Sequence, residues 1–214
     1  MLSRRNLLCA GMLAPMTGSV FGAETYMAGS EYFQLEPPVP LSSKKIQVVE
    51  FFAYTCPHCF LFQPTFDRWA ENAPDDVEIV ICPVAWTPRQ LPLTKTYFAL
   101  EMLGLKEKLS NKFFESVYYE TQPYSFESLD RDILTFMLAN GVDEKKWRYA
   151  YNSFGVMANS QRATQLWQAY RIDSTPMIGV GGRYTTGPHL IGTREKTPAA
   201  IDHLIELCRR DMQG

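Results

Sequence analysis

Residues 45–54, KIQVVEFFAY, form an almost unbroken β-branched and aromatic run of strand length, interrupted inside only by Gln47 and Glu50. A run without alternation fits a central strand buried on both faces, as in the parallel sheet of an α/β fold. Residues 57–72 then read as a helix opening at Pro57, whose missing N–H costs nothing in a first turn. Pro64 is a kink candidate within that helix. DVEIVICPVAW, 76–86, is a second strand, closed off by TPRQLP. Strand, helix and strand make a βαβ unit with the right-handed crossover such units adopt.

From about residue 92 to 170 the period becomes helical. Leu129, Ile133, Phe136 and Met137 share one face, Asn140-Gly141 marks a helix end, and the amphipathic stretch from Lys145 to Tyr170 has Gly155 as a candidate interruption. This block of roughly 80 residues has no strand of its own and is too helical for a loop, so it is expected to be a helical insertion. MIGVGGRYTTG, 177–187, reads as a hairpin around Gly181-Gly182. In the last helix, 197–212, Ile201, Leu204, Ile205 and Cys208 stand at i, i+3, i+4 and i+7 and dock on an apolar surface. EYFQLEPPVP, 31–40, reads as an edge strand running into a Pro-broken linker. The expected organisation is a leader over 1–23, the first half of an α/β fold over 24–90, the helical insertion over 91–170 and the second half over 171–214. No repeat or low-complexity tract interrupts it.

A length of 214 residues suits one sizeable domain or a domain with a large insertion. The first 23 residues have Arg4 and Arg5, an apolar stretch of roughly a dozen residues, and small residues at Gly22 and Ala23. That is the pattern of an export signal peptide, with cleavage after Gly22 or Ala23, and its apolar stretch is short for a membrane span. SRRNLL resembles a twin-arginine signal without its usual aromatic, so twin-arginine and Sec export both stay open. Cys9 follows the large Leu8 where a lipid-anchor site wants a small residue, so it reads as a cysteine discarded with the leader. The whole chain has 21 basic and 23 acidic residues, and without the leader the balance is 19 to 23. Nucleic acid is not expected as a partner. Export places the remaining cysteines, Cys56, Cys59, Cys82 and Cys208, where disulfides form and persist.

Cys56-Pro57-His58-Cys59 stands where the first strand meets its helix. Zinc wants four nitrogen or sulfur ligands, and neither the isolated Cys82 and Cys208 nor His189 and His203 supply a second pair at ligand spacing. A staple across two intervening residues closes a loop too small to remove much unfolded-chain entropy. A redox couple has a mechanism. Unpaired backbone N–H groups and the positive end of the helix dipole favour a thiolate at Cys56, and an imidazole at His58 can stabilise the same anion. Whatever stabilises the dithiol form makes the disulfide a stronger oxidant, and a stabilised thiolate is also a good leaving group. Glu50 is the second candidate: an acid in an apolar central strand either faces an edge or is buried with a raised pKa.

VVEFFAYTCPHC, followed by a helical block and then STPMIGVGGRY, resembles the thioredoxin-fold disulfide oxidoreductases, and most closely the DsbA family of bacterial periplasmic thiol:disulfide interchange proteins. The likeness spans about residues 30–210, and CPHC is the dipeptide variant typical of that family. The resemblance implies an α/β thioredoxin fold with an inserted all-helical domain. It implies Cys56 as the exposed nucleophile, Cys59 as its buried partner, Pro57 and His58 between them, and Pro176 as a cis-proline facing the pair. Thr175 would offer backbone groups to an extended substrate peptide, and Glu50 would lie beneath the active site and help ionise the buried thiol. Some members pair that acid with a lysine on the next strand, but EIVICPVAW has none, so proton transfer here would be slower or run through water.

The expected activity is a dithiol oxidase of the periplasm, monomeric, needing no metal or organic cofactor. It would donate its disulfide to reduced exported polypeptides and be reoxidised by a DsbB-like membrane quinone reductase. A reductase or isomerase of the same fold is the nearest rival, and a chaperone-like binding protein using the groove near Thr175 is a rival of another class. Cys82 and Cys208 read either as buried apolar thiols or as a second disulfide, and sequence spacing does not decide between them.

Overall fold

The computed structural model describes residues 25–120 and 124–212. The leader read at 1–23, with Cys9, lies outside the described residues. Strand β1 (Phe33–Gln34) is followed by β2 (Ile46–Phe52), helix α1 (Pro57–Ala70) and β3 (Val77–Pro83). Five helices come next: α2 (Leu91–Met102), α3 (Lys106–Tyr118), α4 (Leu129–Ala139), α5 (Glu144–Tyr151) and α6 (Phe154–Ala169). The chain closes with β4 (Met177–Val180), β5 (Tyr184–Thr186), the single-turn α7 (Pro188–Ile191) and α8 (Thr197–Asp211).

The sheet order is β1-β5-β4-β2-β3, with β2 parallel to β3 and antiparallel to β4. A βαβ unit therefore meets a ββα unit along β2 and β4, with all five helices α2–α6 between β3 and β4 in the chain. This is the thioredoxin fold with its helical insertion. The period of two in β2 sorts its residues between two cores. Val48 faces α1 and α8 with Phe62, Phe66, Ile201, Leu204 and Ile205. Val49 and Phe51 face the other side, with Ala163 of α6, Tyr170 and Ile172. Phe52 and Tyr54, at the end of β2, enter a third core with the insertion, where Phe113, Phe114, Ile133, Met137 and Trp147 lie. The Tyr54 hydroxyl shares a 2.7 Å hydrogen bond with Ser110 of α3, tying the strand end to the insertion.

The structure adjusts several boundaries. The expected edge strand shrinks to Phe33–Gln34, because Pro37, Pro38 and Pro40 have no N–H to pair and end it at once. Gly155 does not interrupt the helical block. The break falls at Asn152–Ser153, where the Ser153 hydroxyl accepts the Val156 N–H at 3.2 Å and starts α6. Pro64 lies inside a continuous α1. The hairpin turn at Gly181-Gly182 has both residues at positive φ, 60° and 69°, the left-handed conformation that glycine adopts without a Cβ penalty.

Candidate active site

Cys56 is the N-cap of α1, in extended conformation, and Pro57 is its first residue. The cap position aims the sulfur at the first-turn N–H groups, and the Cys59 N–H reaches Cys56 Sγ at 3.3 Å. Cys56 is half-buried, whereas Cys59 is only 1% exposed. The two thiols consequently diverge. Cys56 is lowered to about 6, first by the hydrogen bond from the Cys59 thiol, with further help from Thr175 and the backbone N–H groups of Cys59 and His58, against burial. Burial, and then the neighbouring Cys56, push the Cys59 thiol far up. The His58 ring is exposed and makes no hydrogen bond among the described residues. Its backbone N–H is one of the groups that lower Cys56.

Thr175-Pro176 is a cis peptide bond, and the Cys56 thiol donates to the Thr175 carbonyl at 3.2 Å. The loop before β4 is thus brought from 119 residues away onto the nucleophile. Pro176 is buried and Thr175 half-buried beside it.

Glu50 lies on the α1 side of β2, between Ile81 of β3 and Ile178 of β4, so it is central and not edge-facing. It is 5% exposed. Desolvation, and then the charge of Asp67, raise its carboxyl to about 8. A cavity of about 570 Å³ lies between α1, α3 and β3, and both Glu50 and Cys59 line it. A carboxyl raised to about 8 and a buried thiol thus line one cavity, where the acid can give a proton to a departing thiolate or take one from the thiol.

A family model described as a DSBA-like thioredoxin domain matches residues 47–195. The chain belongs to the DSBA-like thioredoxin family. Among curated members of that family, it is 35% identical to the thiol:disulfide interchange protein DsbA of Pseudomonas aeruginosa, over 94% of this chain and 96% of the relative. It is 38% identical to the protein of the same name from Bordetella parapertussis, over 87% of each. The crystal structure of Pseudomonas aeruginosa DsbA superposes with a TM-score of 0.81 at 33% identity, covering 88% of this chain and 97% of that one. The oxidoreductase NmDsbA3 of Neisseria meningitidis superposes at 0.76 with 29% identity, over 88% and 100%.

Within this DSBA-like frame, all seven residues singled out in the sequence sit around one sulfur pair or the cavity beneath it. Asp67 and Lys106, which also line that cavity, were missed. Asp67 had a signal, since it stands eight residues after Cys59 on a helix and therefore on nearly the same face. Lys106 had none, because it comes from α3, across the insertion. Cys82 and Cys208 are free thiols. Cys82 packs with Val49 and Phe51 on the α6 side of the sheet, and Cys208 packs with Val48 and Val180 on the α8 side. The sheet itself separates them, which removes the second-disulfide reading. Burial raises both thiols, Cys208 to about 11.

Proposed function

We propose that this protein is a thiol-disulfide oxidoreductase of the periplasm that donates its Cys56–Cys59 disulfide to reduced, newly exported polypeptides. The observation that carries the reading is the divergence of the two sulfurs: Cys56, half-buried at the helix N-cap, has its thiol lowered to about 6, and Cys59, buried one turn in, has its thiol pushed up. A substrate thiolate attacks Cys56 Sγ, the Cys56–Cys59 bond breaks, and Cys59 leaves as a thiolate that takes a proton from Glu50. A second substrate thiol then attacks the substrate sulfur of the mixed disulfide, and Cys56 leaves as a stabilised thiolate. The substrate loses two electrons, and the protein's disulfide gains them.

Thr175 lines the approach to Cys56 and is the residue assigned to hold an extended substrate backbone. Reoxidation runs the same exchange in reverse against a DsbB-like membrane quinone reductase, with Cys59 giving its proton back to Glu50. The leader pattern over 1–23 supports export, and the names of the relatives support thiol-disulfide exchange as the reaction.

The deciding experiment equilibrates the purified protein with glutathione redox buffers and scores the pair by mass after alkylation. An oxidase stays reduced until the buffer is strongly oxidising, and each shift of about 30 mV corresponds to about 1.4 kcal/mol for this two-electron couple. A pair already oxidised in reducing buffer would instead identify a reductase or a structural disulfide. Cys56→Ser separates exchange from chaperone-like binding, since only peptide binding survives that substitution.

A further inference from the structure

The insertion has a corner that the exchange chemistry does not use. Leu93, in the first turn of α2, lines one cavity with Thr55, the chain neighbour of Cys56. The helix then runs nine residues further to Met102, about 13 Å along its axis. At that far end the Ser153 hydroxyl donates to Met102 Sδ at 3.4 Å, which holds the end of α2 against the corner between α5 and α6. Four large apolar side chains stand out from it: Phe154 is 88% exposed, Tyr149 75%, Met102 51% and Met157 38%. Tyr149 lies one turn before Ser153, and Met157 one turn after Phe154, so the four form one cluster. Neither helix needs them for its packing, since α5 already buries Trp147, Ala150 and Tyr151, and α6 buries Val156 and Ala163. Apolar surface gathered in this way and left in water marks an interaction site.

The rim of the corner is basic. Lys145 and Lys146 stand one turn before Tyr149, are exposed, and enter no ion pair among the described residues. The nearby acids are engaged: Glu144 pairs with Arg148 at 2.8 Å, Asp143 accepts the Lys146 N–H at 2.9 Å, and Glu101 faces Lys106 at 4.0 Å. Over residues 143–162 four basic side chains stand against two acids, although the chain without its leader has 19 against 23. A second copy of this chain is a poor cover, because a symmetric contact here would set the lysines of one protomer against those of its partner. A folded protein would need a pocket for a phenylalanine that stands almost wholly clear of the surface. An anionic bilayer supplies phosphates for the lysines and an interface soft enough to admit aromatic and thioether side chains. We propose that the α5–α6 corner is a peripheral docking tip for an anionic phospholipid bilayer. Phe154, Met157 and Met102 enter the interface, Tyr149 sits at headgroup level, and Lys145 and Lys146 pair with lipid phosphates. The contact is peripheral, since no described helix is long and apolar enough to cross a bilayer. Docking at the far end of α2 leaves the Cys56 face open to polypeptides and raises the local concentration of the protein at the membrane that exported chains cross.

The leader is itself basic and apolar, so the test uses the exported form without residues 1–23, which keeps every described residue. The protein is sedimented with vesicles of phosphatidylcholine alone and with vesicles that also contain phosphatidylglycerol, at low and high salt. The expected result is binding to the anionic vesicles roughly tenfold above the neutral ones, weakened by salt. The Lys145→Gln, Lys146→Gln pair should weaken it by a further factor of about five per lysine, and Phe154→Ser by roughly tenfold. Phe154→Trp should bind like the parent and show emission quenched by lipid brominated in its acyl chains, beyond any quenching of the parent. Equal binding to neutral and anionic vesicles overturns the proposal, as does binding that survives both sets of substitutions, or no binding to either vesicle. A dimer that Phe154→Ser abolishes, seen by ultracentrifugation without vesicle binding, gives the corner to a second copy and overturns it as well. Each variant is also equilibrated with glutathione redox buffers. The parent's midpoint is expected throughout, which shows an intact fold and pair, so failure of docking and failure of the exchange reaction are read separately.

Discussion

Two sulfurs three residues apart differ because one caps a helix and the other is one turn inside it. The largest cause of the low Cys56 value is the hydrogen bond from the Cys59 thiol, ahead of the backbone groups. Cys59→Ala is therefore expected to move the Cys56 thiolate transition, read by ultraviolet absorbance, from about 6 back towards the ordinary thiol value of 9.0. Cys59→Ser, which keeps a donor, should move it less. The sign for stability follows from linkage. A folded value below the unfolded one gives the dithiol protein a stability gain that is full above the ordinary 9.0 and is lost progressively as pH falls from there through about 6. Glu50 has the opposite sign. Its folded value near 8 lies above the ordinary 4.5, so the folded state holds a proton that the unfolded state releases, and stability falls by up to about 1.4 kcal/mol per unit as pH rises between those two values. Glu50→Gln is expected to stabilise the protein at pH 8 and to be neutral at pH 4. Urea unfolding at both pH values checks this, and equal effects at both would remove the buried-acid account.

At the scale of elements, what was legible followed from how completely each was buried. β2 reads clearly because Val48, Val49 and Phe51 are all fully enclosed, and a strand covered on both faces has no alternation to blur. Glu50 was conspicuous for the same reason. The helix break before α6 was misplaced at Gly155 because glycine is the stronger general breaker, whereas Ser153 starts the new helix through a side-chain cap that spacing does not display. Ser153→Ala should cost about 1 kcal/mol, seen as a lower urea midpoint, while Gly155→Ala should be neutral or stabilising. The cavity around Glu50 was not legible, since its walls come from α1, β3 and α3, whose meeting depends on how the insertion docks. A harsher local constraint lies in β4. A Cβ placed on Gly179 would come within 2.3 Å of the Tyr170 ring, whose hydroxyl accepts the Gly182 N–H at 3.1 Å. Gly179→Ala is expected to destabilise by roughly 1–3 kcal/mol, because a packed aromatic must move. A thermal melt unchanged from the parent would show that Tyr170 shifts freely.

Across the whole molecule, the sheet keeps the two remaining thiols apart, one on each face. The reactive pair sits at the junction of β2, α1 and the insertion, against the core that the insertion builds. Cys82 and Cys208 lie deep on opposite faces, each surrounded by aliphatic and aromatic side chains and each pushed away from the thiolate form. Low exposure and a raised pKa both suppress thiol exchange, so an oxidising compartment alone does not make these residues react. In the oxidised protein, alkylation under denaturing conditions should label these two cysteines and leave Cys56 and Cys59 unlabelled. The Cys82→Ala, Cys208→Ala double variant should lose roughly 1 kcal/mol at each buried site through lost packing. Its glutathione midpoint should stay that of the parent, because neither sulfur touches the pair. A shifted midpoint would mean that the two faces of the sheet communicate with the active site, and an unlabelled denatured protein would mean that a second disulfide forms through a rearranged sheet.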